Sequence, residues 1–217
     1  MRHRNFLLAS LALALLGFWM PWLTHPAAAL RFNGFELSEW VTFLPGVRDG
    51  SLPFGRLTFL IPLAALIPLF GIAAARSRGA APPARRRFRL LALLPTSPLG
   101  WGLLLLALLC AAAVFPPYEA FIRADYWPEY RPQFFAACAA LVVLGVIFTL
   151  PDEANHVLQI LFALLGGGFA FWAALSVRAV ALQEFHTGWS LGLGWAAIVS
   201  GFAGLCLSGW ARLFGPR

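Results

Sequence analysis

The chain contains no lysine; all 16 of its basic residues are arginine. A retinal Schiff base and a catalytic lysine are therefore excluded. Charge of either sign is scarce, at 12% of 217 residues, where a soluble domain carries about 25%. So few charges cannot clothe a water-facing surface of that size. Cysteine is scarce too. Cys110, Cys138 and Cys206 lie inside apolar runs, are odd in number and have no CxxC spacing. That argues against a disulfide framework or a thiol redox site and for small buried hydrophobes. The apolar runs also lack ionisable side chains in their centres, where such residues usually mark function. The histidines (His3, His25, His156, His186) sit at run ends or in loops, so the facing mid-membrane pair of a b-type haem is missing. There is no acid chain for proton relay and no HExxH. The GxSG of an intramembrane serine protease needs glycine at 198, where Ile198 stands. These absences argue against catalysis inside a membrane, and no cofactor is expected.

What the chain does have is apolar residues, 60% of the total, with a mean hydropathy of +0.77. About 20 apolar residues cross the hydrocarbon of a bilayer as a helix. Six runs qualify: 6–23, 57–74, 98–115, 134–150, 157–177 and 189–210. They are continuous rather than alternating, and six strands are too few for a closed barrel, so helices are predicted. The expected fold is an all-α polytopic membrane protein, one transmembrane domain over 1–217, with six transmembrane helices in three hairpins closed on the outer side. The net charge of +7 invites a nucleic-acid reading. The arginines flank apolar runs instead of striping one soluble face, so nucleic acid is not an expected partner.

Arginine placement sets the orientation. With both termini cytoplasmic, the inner segments (75–97, 151–156 and the ends) hold ten Arg against Asp152 and Glu153. The outer loops (24–56, 116–133, 178–188) hold six Arg against seven acids. The first run raises an alternative. A basic start and Ala27-Ala28-Ala29 resemble a cleavable export signal. Against cleavage, the run continues into Phe18, Trp19 and Trp22, aromatics suited to a membrane-water interface, and Pro21 stands where a helix stops cheaply. A retained helix is expected.

Short interfacial helices are predicted in the first outer and first inner loops. In the outer loop, Ser38 is the expected cap, Glu39 falls in the first turn, and Trp40, Phe43 and Leu44 share a face until Pro45-Gly46. In the inner loop, Arg85 to Leu94 is basic at one end and apolar at the other. Arg85, Arg86, Arg87 and Arg89 would attract anionic lipid headgroups of the inner leaflet, and they also anchor the topology. In the second outer loop, Glu119 and Arg123 have helix-pair spacing, beside an aromatic belt of Tyr118, Tyr126, Trp127 and Tyr130. Pro62 and Pro68 predict a kink in the second span.

Small residues recur every four positions at Gly166, Ala170 and Ala174, and at Ala196, Ser200, Gly204 and Ser208. That spacing lets helices approach closely in lipid and predicts tight packing of spans five and six. On the outer side, a ligand or metal site can assemble from His25 with Glu36 and Glu39 beside Trp40, or from Glu184 with His186. Loop charges held by solvent and arginine are the competing reading.

The stretch Met20 to Trp40 places Pro-Trp after the first span, followed by Gly-x-x-Leu-Ser-x-Trp. It resembles a pattern in uncharacterised bacterial multi-spanning membrane proteins, with Glu39 replacing a small residue. The resemblance implies a bacterial cytoplasmic (inner) membrane and no particular activity. Three functions follow as expectations: a non-catalytic accessory or scaffold subunit of an inner-membrane complex, a small-molecule carrier, or a membrane enzyme with an outer-face site. The six spans and long first outer loop are similar in architecture to the substrate-binding components of energy-coupling-factor vitamin transporters, which motivates the carrier.

Overall fold

The computed structural model describes residues 2–26, 30–77, 95–123, 125–185 and 188–215. The protein is mostly helical. The described helices are α1 (Arg2–Trp19), α2 (Gly34–Trp40), α3 (Pro45–Arg48), α4 (Arg56–Arg76), α5 (Pro98–Val114), α6 (Glu119–Ile122), α7 (Trp127–Ile147), α8 (Asp152–Phe185) and α9 (Leu193–Phe214). Four of them, α4, α7, α8 and α9, are long and apolar enough to cross a membrane, and α1 and α5 are shorter apolar helices. Ala27 to Ala29, the basic stretch from Arg85 to Leu94, and His186 lie outside the described residues.

Two compact units are present, Met1–Leu63 with Ala163–Cys206, and Ala64–Phe162 with Leu207–Arg217. In the first, α1 and α9 run antiparallel and almost touch. Ser10 faces Gly204, Ala14 faces Gly201, and Gly17 faces the Ile198 backbone. Gly194 meets the carbonyls of Met20 and Pro21. Small residues on both helices permit this approach. Leu7, Leu11, Phe18 and Trp22 complete the buried face of the N-terminal segment.

The small residues expected to join spans five and six do so in part, since Ser208 of α9 meets Gln159 of α8. Gly166, Ala170 and Ala174 are buried along α8, and Gly167 approaches Phe202. On α9, however, Ala196 and Ser200 are exposed. A period of four drifts around a helix of 3.6 residues per turn, and the α1-facing positions are Gly194, Ile198, Gly201 and Gly204.

Two-residue strands tie the loops of the first unit together. β1 (Leu23–Thr24) lies between β2 (Arg31–Phe32) and β3 (Ser190–Leu191), antiparallel to both. Flanking bonds extend the ladder: Trp22 N to Phe32 O at 2.7 Å, His25 N to Leu30 O at 3.0 Å, and Gly192 N to Trp22 O at 2.8 Å.

The short helix of the first loop begins earlier than Ser38. Asn33 is its cap: Asn33 Oδ1 accepts the Glu36 amide and Glu36 Oε2 accepts the Asn33 amide, each at 2.9 Å. This is a reciprocal capping box. Ser38 sits mid-helix and donates to Phe35 O at 2.6 Å. The helix also stops at Trp40, ahead of Leu44. A 3-10 turn follows over Val41–Phe43, and Pro45 starts α3 instead of ending a helix. Phe43 is therefore exposed while Leu44 is buried.

In the second unit α5 and α7 form a hairpin. Beside α7, Gly71 of α4 admits Leu144 and Ile147, and Ile72, Ala75 and Ile147 make a small buried cluster. α4 carries Pro62 and Pro68 within one unbroken 21-residue helix. α8 reaches 34 residues, well beyond the expected 157–177, because helix geometry continues through its polar ends. Arg123 caps the one-turn α6 and turns its guanidinium to Tyr126 Oη at 3.2 Å.

Candidate functional site

Apolar surroundings make every unpaired polar group costly. Three buried donors are spent on helix C-terminal carbonyls, which lack partners within their own helix. Trp22 Nε1 donates to Gly17 O at 2.9 Å near the end of α1. Gln133 Nε2 donates to Val114 O at 2.8 Å, the last carbonyl of α5. Asn155 Nδ2 donates to Ile147 O at 3.2 Å, the last of α7.

The loop residues singled out from the sequence are partly brought together. His25 packs on Trp189 with ring centroids 4.8 Å apart. Phe32 stacks between Trp189 at 6.1 Å and Trp40 at 5.4 Å. The result is a continuous run of rings from His25 through Trp189 and Phe32 to Trp40, with Arg178 Nε held on Trp189 O at 3.1 Å. Two of the carboxylates take partners within the loop. Glu36 is consumed by the capping box. Glu39 pairs with the buried Arg56 at 2.6 Å. Glu184 is exposed on α8. No metal-binding group of three His, Cys, Asp or Glu forms among the described residues.

A second polar assembly lies in the other unit. Arg76 is the last residue of α4, and its Nη1 donates to Gln159 Oε1 of α8 at 2.5 Å. Gln159 Nε2 in turn donates to Ser208 Oγ of α9 at 2.5 Å. Gln159 and Ser208 are buried, as is Asn155 one turn before Gln159. Gly209 makes the room, since a β-carbon there would stand 2.9 Å from Ile160 and 3.4 Å from the Gln159 amide. Three helices distant in sequence are thus joined by one chain of side-chain bonds. Its central members are a neutral amide and a hydroxyl, so ionisable groups in mid-span do not mark it. The available signal was a pair of amides four apart, Asn155 and Gln159, at the edge of an apolar run.

Comparisons with protein-family models, with curated proteins and with solved structures find no match to this chain.

Proposed function

We propose that the chain is a six-span protein of the bacterial inner membrane that works by contact, as a non-catalytic accessory or scaffold subunit of a larger complex. α1 and α5 would supply the two further crossings. His3–Trp19 and Pro98–Val114 are shorter apolar helices, at the short end of the length that spans hydrocarbon. Three hairpins with both termini cytoplasmic follow from the arginine asymmetry, and the Pro-Trp pattern supports a bacterial membrane.

The observation that carries the subunit reading is the apolar flank of the second unit. Only 28% of the apolar stretch of α7 is enclosed, against 78% for α4. Leu105, Leu108 and Leu109 of α5 and Phe135 and Val142 of α7 stand outward. Such a flank suits a neighbouring transmembrane chain, where association depends on packing. The engagement of Glu36 and Glu39 in loop architecture agrees with this.

The test is the mass of the protein extracted from its native membrane in mild detergent. A complex of fixed stoichiometry with a second chain is expected; a lone monomer carrying only lipid overturns the reading. Labelling of single cysteines placed near positions 50, 96, 120 and 154 checks the orientation.

A further inference from the structure

We infer that the Arg76 guanidinium, with its Nε and Nη2 edge, forms a binding site for a phosphate group at the end of α4. A guanidinium presents N–H donors in a planar fork. Nη1 is occupied by Gln159. Nε and Nη2 are buried and carry no hydrogen bond. Those two atoms are the edge that engages an oxyanion with two parallel bonds. Left bare in a low-dielectric setting they are costly, and a bidentate oxyanion removes that cost.

The surroundings favour an anion. Arg76 and Arg212 stand in the last turns of α4 and α9, the two helices that Gln159 links. Asp152 and Glu153 carry the opposite charge, yet both are exposed at the start of α8 and Arg76 makes its hydrogen bond to Gln159. Gln159, itself locked by Ser208, holds the guanidinium by one end and so aims the other. Arg76 is half-buried as a whole, so a small shift of a flexible side chain presents the fork. A phospholipid headgroup and free phosphate offer the same chemistry, and the site is independent of whether the protein is a subunit.

The experiment uses the full chain in micelles of dodecyl maltoside, which carry no phosphate, with or without added phosphatidylglycerol. Retained lipid is counted by native mass spectrometry, and inorganic phosphate binding is measured by equilibrium dialysis. Wild type is expected to hold one phosphatidylglycerol, or one phosphate in its absence. Retention of the lipid alone identifies a headgroup site, and phosphate binding without the lipid identifies a soluble ligand. R76Q, which keeps a polar partner for Gln159, should weaken binding about tenfold or more. R76K, which keeps the charge but loses the fork, should fall between. Should R76Q fail to fold, wild type and R76K decide the matter. Wild type that retains neither probe, or R76K that binds as tightly as wild type, overturns the inference.

Discussion

Gly17 of α1 lies against the backbone of Ile198 in α9, so closely that an added β-carbon would stand 2.8 Å from the Ile198 Cα. Gly17→Ala must therefore push the two helices apart along a contact that also includes Ala14 and Gly201. Overpacking of this kind costs about 1–3 kcal/mol, read as a lower midpoint of thermal unfolding in detergent. Gly168→Ala is the control. Nothing lies within 4 Å of its added carbon, and better helix propensity should hold or raise stability, by up to about 1 kcal/mol. Equal behaviour of the two variants would refute the close crossing.

Trp22→Phe separates packing from hydrogen bonding at the end of α1. The ring stays buried while the bond to Gly17 O is lost. The expected loss is about 1–2 kcal/mol. Hydrogen exchange should quicken first at the Met20 amide, which donates to Leu16 O in the same turn. Unchanged exchange there would show that the indole does not hold the helix end.

Gln159→Leu removes the middle of the Arg76 to Ser208 chain. Arg76 Nη1 then joins Nε and Nη2 without a partner. The cost should reach about 2–4 kcal/mol, whereas Ser208→Ala, which takes away one acceptor, should cost about 1 kcal/mol. Denaturant titration in mixed micelles orders the two, and a Ser208 effect as large as that of Gln159 would contradict the assignment.

Asp49 supplies a pH dependence in the first loop. Its carboxylate accepts the Ser51 amide at 2.9 Å. That bond, with help from the Ser51 hydroxyl, holds its carboxyl below the ordinary value. A folded value that is lowered stabilises the turn above the unfolded value and loses that contribution as pH falls through the folded one. The turn should persist at mildly acid pH and loosen only in stronger acid. Carboxyl NMR should give a midpoint below that of a free aspartate, raised partway by Ser51→Ala; an ordinary midpoint in wild type would disprove the bond.

Much of the helical plan was legible in the sequence, because hydropathy locates apolar helices directly. Where hydropathy is silent the plan was less legible. α8 begins at Asp152 and reaches Phe185, since a helix does not stop where its residues turn polar. The Asn33-x-x-Glu36 capping box was visible, yet Asn33-Gly34 also reads as a turn, and local pattern alone could not choose. The three-stranded clasp was not legible at all, since two-residue strands have no periodicity. The same limit hid the Arg76 assembly. Each of its members is visible, but their meeting is a property of three packed helices. The loop carboxylates were visible as well, but their engagement by Asn33 and Arg56 depends on the fold of the loop.

The strand clasp sets an order of assembly. Thr24 and Ser190, bonded through their hydroxyls at 2.8 Å, are 166 residues apart in the chain. At translation rates of about 5–20 residues per second, the first helix waits on the order of ten to thirty seconds for its partner to be made. Throughout that interval the face of Ser10, Ala14 and Gly17 has no α9 to cover it. A nascent chain of this protein therefore carries an open helix-docking surface until α9 has been made, and a chain that stalls before α9 keeps it open.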